Sequence, residues 1–303
     1  MIDFTSFLFI IISMIYVVMG PTCSGKTELA NYLIDKLNCE AINFDAFQIY
    51  KDMNIGTAKL EKSDPHYKKY HLLDIKSPAE TFSVMEYQEL CRKELASLLE
   101  KYKDVVLVGG TGLYIRAALF DYNFAKEEVS VDDDLLKLSN EELHKLLEEL
   151  DFEESKKIHV NNRKRLLRAI SLIKHSSKKK TEILNEQSHK PIYKNVKFIY
   201  ISPDRDELYQ KIDKRVLSMM ENGLVDEVKY LLDNYNLSLT ARQGIGYKEV
   251  IDFLENKINY ASCVELIQKR TRNYAKRQVT FFKNQFESDT YKNIIEAKQG
   301  LVV

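Results

Sequence analysis

The chain has 303 residues, 45% of them hydrophobic and 30% charged, proportions that fit a globular protein with room for more than one domain. Its 45 Lys and Arg balance 45 Asp and Glu, so it is not uniformly basic, and any anionic partner must be met by local patches. Cys23, Cys39, Cys91 and Cys263 lie far apart with no C-x-x-C pair, which argues against a zinc site or a disulfide framework and suits a reducing cytosol.

Phe7 to Met19 is almost wholly apolar. It is too short for a membrane span, lacks a basic leader and runs straight into a glycine-rich loop. The expectation is therefore an N-terminal extension over residues 1–13, with Met14 as a candidate biological start, and a buried strand from about Ile15 to Met19. The loop is GPTCSGKT, formed by Gly20, Pro21, Thr22, Cys23, Ser24, Gly25, Lys26 and Thr27, and it satisfies the phosphate-loop pattern G-x-x-x-x-G-K-[ST]. The two glycines let successive amides point into one concavity at a helix N-terminus. Lys26 adds a positive charge for terminal phosphate oxygens, and the Thr27 hydroxyl suits a phosphate-bound Mg²⁺. Leu29, Leu33, Ile34 and Leu37 then make a helical stripe, and a second short apolar run ends at Asp45. A diphosphate or triphosphate is implied, with nucleotide binding the default reading; the reaction stays open at this point.

The stretch after Asp45 reads as a loop, and HLLDI (71–75) as a short strand ending near Asp74. Ser83 and Glu86 form a capping box before a helix reaching about Lys101, with Tyr87, Leu90, Cys91, Leu95 and Leu98 inward. Val105 to Val108 is a third buried strand, and it runs into Gly109-Gly110-Thr111-Gly112. Short apolar strands alternating with helices predict an α/β core, a parallel sheet covered on both faces. Ligands then lie at the C-terminal edge of the strands, where the loop, Asp45 and Thr111 converge.

Between residues 122 and 190 the character changes. Glu127 to Glu154 holds twelve acidic residues and two lysines, whereas Lys156 to Lys180 holds ten Lys and Arg and no acid. In the latter run Leu166, Ile170 and Ile173 share one helical stripe, with Asn161, Lys164, Arg165 and Arg168 opposite. Either that face is salt-bridged to the acidic half or it binds a phosphate backbone; the break in composition predicts an inserted helical domain. Core strands resume at Val196 to Ile201. A helix over Asp206–Glu221 follows, with Leu208, Ile212 and Leu217 inward, Arg215 among them and Gly223 as its stop. Leu224 to Phe253 reads as helices around the turn GIGYKE. Lys269 to Lys283 then carries six Lys and Arg and no acid, interleaved with Tyr274, Phe281 and Phe282. Such a run suits RNA contacts, or equally lysines spread over a core edge.

GPTCSGKT, DAFQIYKDMNIGTAK, HLLDI, VGGTGLYIRAALF, NNRKRLLRAI, RVLSMMENGLVDEV, GIGYKE and AKRQVTFFKNQ occur in the order and spacing of the tRNA dimethylallyltransferases, also called tRNA isopentenyltransferases. The chain resembles the bacterial type of that family over residues 14–286. The resemblance implies a P-loop NTPase-like three-layer core (14–121 and 191–303) with an inserted all-helical tRNA-binding domain (122–190). It also implies transfer of a dimethylallyl group from dimethylallyl diphosphate to N6 of the adenosine 3′-adjacent to the anticodon, releasing diphosphate, by a cytoplasmic monomer that needs Mg²⁺ and no membrane.

By the same resemblance Asp45 is the general base, and Lys26, Thr27 with Mg²⁺ and Arg215 stabilise the departing diphosphate. Asp45, Ala46, Phe47, Gln48 and Thr111 line the adenine's way in. Lys164, Arg165, Leu166, Leu167 and Arg168, with Arg277 and Gln278, grip the RNA. The sequence departs from the family pattern at Ala46 (usually serine), Leu60 (proline), Asn162 (aspartate) and Phe281 (tryptophan). Two other readings remain open: an isopentenyltransferase acting on AMP or ATP, which needs no RNA grip, and a small-metabolite kinase or non-catalytic nucleotide-binding module. A P-loop kinase wants a metal-binding Asp at the end of the strand beside the loop, and here that strand ends in Gly-Gly-Thr.

Overall fold

The computed structural model describes residues 13–122, 131–176 and 190–301. The expectation for residues 1–12 lies outside them. The chain divides into two compact units, one containing residues up to Leu119 and from Tyr193 onward, the other Phe120–Ile192.

The first unit is built on six parallel strands: β1 (Met14–Met19), β2 (Ala41–Asn43), β3 (Tyr70–His71), β4 (Asp104–Gly109), β5 (Val196–Ile201) and β6 (Asp289–Tyr291). Their order across the sheet is β3-β2-β4-β1-β5-β6. Helix α1 (Lys26–Leu37) follows β1, α2 (Val84–Lys101) leads into β4, and α3 (Gly112–Leu119) follows it. The β1-to-β2 and β3-to-β4 crossovers run in opposite directions along the sheet, so right-handed connections put α1 and α2 on opposite faces. Tyr16 and Val18 of β1, with Val106 and Val108 of β4, pack on Leu29, Leu33 and Ile34 of α1. The alternate residues Ile15, Val17, Val105 and Leu107 are equally buried, as a strand covered on both faces requires.

Three expectations need correction. The strand expected over HLLDI (71–75) is cut short: β3 keeps only His71 of it and stops there because Leu72 and Asp74 take positive φ of 60° and 52°. The Asp74 carboxylate there meets buried Lys59 at 2.6 Å and the Tyr67 hydroxyl at 2.5 Å, and that local bonding turns the chain away from a ladder. The helix after β5 (Arg205–Glu221, α8) buries Leu208, Ile212, Val216, Met219 and Met220, while Leu217 is 48% exposed. Gly223, at φ 92°, caps the start of the next helix (Leu224–Asn234, α9) rather than simply ending the one before. The capping box of Ser83 and Glu86 is present, with both reciprocal hydrogen bonds.

The chain continues through α10 (Leu239–Arg242), α11 (Tyr247–Leu254) and the long α12 (Tyr260–Gln285). It then adds β6 and α13 (Ile294–Gly300), whose Ala297 joins the core beneath α1. Neither of these last two elements was foreseen. Among the described residues no helix is long and apolar enough to cross a membrane.

The second unit contains α4 (Asp133–Lys137), α5 (Asn140–Leu150), α6 (Phe152–Ser155) and α7 (Arg163–Ser176). Its core gathers Leu135, Leu143, Leu147, Ile158, Leu166, Ala169, Ile170 and Ile173. Arg163 spends its guanidinium on the Leu136 and Leu138 carbonyls and on Asn140 Oδ1, locking α7 to the start of α5.

Candidate active site

The phosphate loop leaves β1 and turns into α1. Cys23 (φ 63°) and Gly25 (φ 87°) both lie in the left-handed region, and Gly25 is also crowded from outside, since a Cβ there would sit 2.3 Å from Ile294 Cδ1. Inside the loop Ser24 Oγ is buried and, among the described residues, has no hydrogen-bond partner. Lys26 Nζ donates to the Pro21 carbonyl at 3.1 Å. Burial lowers its ammonium from an ordinary 10.5 to about 8; Asp45 opposes this and Arg215 adds to it.

Arg215 arrives from α8. Its Nη1 donates to Thr22 Oγ1 at 2.7 Å, so the guanidinium is seated on the loop 193 positions away in sequence. Gln278 arrives from α12, where its Oε1 accepts from the Thr22 amide at 2.9 Å and its Nε2 donates to the Gly110 carbonyl at 2.8 Å. It is 5% exposed. Gln278, expected among the RNA contacts, lines the cavity described below. Its amide is consumed in tying the loop to the end of β4.

Asp45 follows β2. Its Oδ1 accepts from the Phe47 and Gln48 amides at 2.9 and 3.4 Å, which folds residues 45–48 into a turn. Buried Asn43 holds that turn from behind: its Oδ1 accepts from the Asp45 amide and its Nδ2 donates to the Leu72 carbonyl. Thr111 Oγ1 accepts from the Ala46 amide at 3.1 Å. Asp45, Phe47 and Gln48 line the cavity described next, whereas Ala46 and Thr111 stand outside its lining and brace the turn.

One cavity of about 440 Å³ collects these groups. Thr22, Cys23, Gly25, Lys26, Thr27 and Arg215 line it, and so do Asp45 and Gln48. Val216, Met219, Ile245, Tyr247 and Ile267 give it an apolar lining. The helix α12 adds Thr271, Tyr274 and Arg277, and Arg277 lies over the Tyr274 ring at 5.8 Å. Burial, then the charge of Asp45, raises the Tyr274 phenol, which stays a proton donor. Sequence reasoning left Asn43, Tyr274 and the apolar wall off the site. The signal for α12 was available in its spacing, because Ile267, Thr271, Tyr274 and Gln278 recur at four, three and four residues on one face. The rest of that basic run is divided. Arg270 and Arg272 pair with Glu249 and Asp213, and Phe281 and Phe282 pack together and on Phe286.

In the helical unit Lys164, Arg165 and Arg168 are exposed, and among the described residues none of the three makes an ion pair. Leu166 is fully buried in the core and Leu167 packs against it. A direct RNA contact at Leu166 is thus corrected to a core role.

A family model described as IPP transferase matches residues 48–285. The chain belongs to the IPP transferase family. This family member is 39% identical to a tRNA dimethylallyltransferase of Bacillus licheniformis over 95% of each chain, a span too long to omit either the loop or Asp45. It is also similar to the solved tRNA Δ2-isopentenylpyrophosphate transferase of Staphylococcus epidermidis (35% identity, TM-score 0.68, covering 93% of this chain and 94% of that one). A eukaryotic dimethylallyltransferase acting on tRNA superposes with a TM-score of 0.80 at 25% identity, over 95% of this chain and 77% of its own.

Proposed function

We propose that the protein is a tRNA dimethylallyltransferase, moving the allyl group of dimethylallyl diphosphate onto N6 of the adenosine 3′-adjacent to a tRNA anticodon. The observation that carries this reading is a single cavity with a phosphate cradle and a carboxylate facing it, an apolar lining, and no acidic residue at the end of β4. The cradle holds the diphosphate through the loop amides, Lys26 and Arg215. As the bond from the allyl carbon to N6 forms, the bond from that carbon to the bridging oxygen breaks and its electron pair leaves with the diphosphate. Asp45 accepts the proton that the amine loses, since an exocyclic adenine amine is a weak nucleophile. The adenosine reaches the cavity by leaving the anticodon stack.

Thr27 lines the cavity, and its exposed hydroxyl together with diphosphate oxygens and water is a donor set that suits Mg²⁺. When bound, that ion would offset charge on the diphosphate. The exposed Lys164, Arg165 and Arg168 supply a phosphate-backbone surface. Labelled dimethylallyl diphosphate offered tRNA and AMP in parallel tests the reading. Label on tRNA is expected; label on AMP alone would overturn it.

A further inference from the structure

Beside the cavity is an anion site that the protein fills with its own side chain. Glu227, in the first turn of α9, aims its carboxylate at the loop of residues 54–56. Its Oε2 accepts from the Asn54 and Ile55 amides at 3.0 and 2.7 Å, and its Oε1 from the Gly56 amide at 3.2 Å and the Tyr247 hydroxyl at 2.7 Å. Three consecutive amides converging on one anion form a nest, and charge on the acceptor strengthens each bond. Gly56 is packed flat on Tyr247, where a Cβ would meet the ring at 2.5 Å. Three separate sequence blocks, NIG, LVDEV and GIGYKE, therefore meet at one carboxylate.

The loop held this way is cavity wall, since Gly56, Thr57 and Ala58 all line it. The Thr57 and Ala58 carbonyls accept from Gln48 Nε2 at 3.1 and 3.3 Å. The Gln48 amide in turn donates to Asp45 Oδ1. A continuous run of bonds thus links Glu227 to the turn that carries Asp45. The phosphate side is fastened by other contacts, Arg215 and Gln278 on Thr22, which do not involve residues 54–58.

We propose that Glu227 is a positioning residue for the acceptor half of the cavity: it sets the wall at 56–58 and, through it, the Gln48 carboxamide. This rests on the prenyl-transfer reading above. Glu227→Gln puts an NH₂ where amides now donate. It should lower kcat/KM toward tRNA about tenfold while the KM for dimethylallyl diphosphate stays within about twofold, because misplacement acts on the acceptor side alone. Gln48→Ala should give a similar loss, and the double variant no further loss, as two residues in one chain of bonds predict. Equal effects on both substrates, or additive losses, would overturn the proposal. If Glu227→Gln is unstable, Tyr247→Phe removes one of the same four bonds and enters the same cycle. Hydrogen exchange at amides 54–56 is read on the protein alone, and protection unchanged in the variant would also overturn the clamp. A wild-type protein inert toward tRNA would overturn the functional reading instead, leaving the exchange result standing.

Discussion

Asp45 does two jobs with one carboxylate. Oδ1 holds the turn of residues 45–48, and the group lines the same cavity as Lys26, whose ammonium its charge favours. Asp45→Asn retains an oxygen for the two amides but cannot take a proton. The expected result is a loss of roughly 10²–10⁴-fold in turnover with donor affinity nearly unchanged, read by single-turnover kinetics. Lys26 gives a pH prediction. With its ammonium lowered to about 8, kcat/KM for the donor should fall as pH rises through that value, because the free enzyme then loses the cation proposed to meet the diphosphate. Stability moves the other way. An unfolded lysine keeps its proton up to its ordinary 10.5, so the stability cost of burying the charge is present below about 8 and is relieved as pH rises. A pH profile of donor kcat/KM beside a denaturation series separates the two, and Lys26→Arg should remove the break near 8. At this scale the sequence was readable where a residue has a motif around it, as Lys26 and Asp45 do. Asn43 and Tyr274 are ordinary in sequence and become part of the site only through the turn and helix that aim them.

The helices decide what the basic runs mean. Both α7 and the Lys269–Lys283 stretch of α12 are acid-free in the sequence, yet α12 ties Arg270 and Arg272 to acids and Gln278 to the phosphate loop. Gln278→Ala leaves the Thr22 amide and the Gly110 carbonyl without their partner, which should cost about 1–3 kcal/mol in chemical denaturation. It should also weaken donor binding, since the loop loses its tie to β4. On α7, by contrast, Arg165 and Arg168 stay exposed. Replacing both by Ala should weaken tRNA binding and reduce the salt slope of log K by about two, one per lost phosphate contact. An unchanged slope would make that face a merely solvated one. Periodicity identified the buried stripe of α7 because Leu166, Ile170 and Ile173 follow the helical repeat. The true ends of β3 and the existence of β6 were hidden, since the first depends on Asp74 meeting Lys59 and the second is a three-residue edge strand with little apolar signal.

Across the whole molecule, one phosphate loop is assigned a use that its motif alone does not reveal. The strand order brings the end of β1, carrying the loop, next to the end of β4, with β2 and Asp45 on the other side of β4. That adjacency follows from the alternation of strands and helices, which is why the α/β core and the strand edge that carries the cavity are legible in the sequence. What distinguishes the proposed prenyl-transfer site from a bare phosphate loop is non-local: Arg215 and Gln278 reach Thr22 from 193 and 256 positions away, and the apolar wall comes from α8, α12 and the segment leading into α11. The central claim is that the loop holds a leaving diphosphate and does not hydrolyse a nucleoside triphosphate. Phosphorus NMR of a reaction containing the protein, Mg²⁺, tRNA, dimethylallyl diphosphate and ATP tests it most directly. Inorganic diphosphate should appear in step with prenylated adenosine while ATP remains intact; orthophosphate released from ATP, with no prenylated RNA, would contradict it.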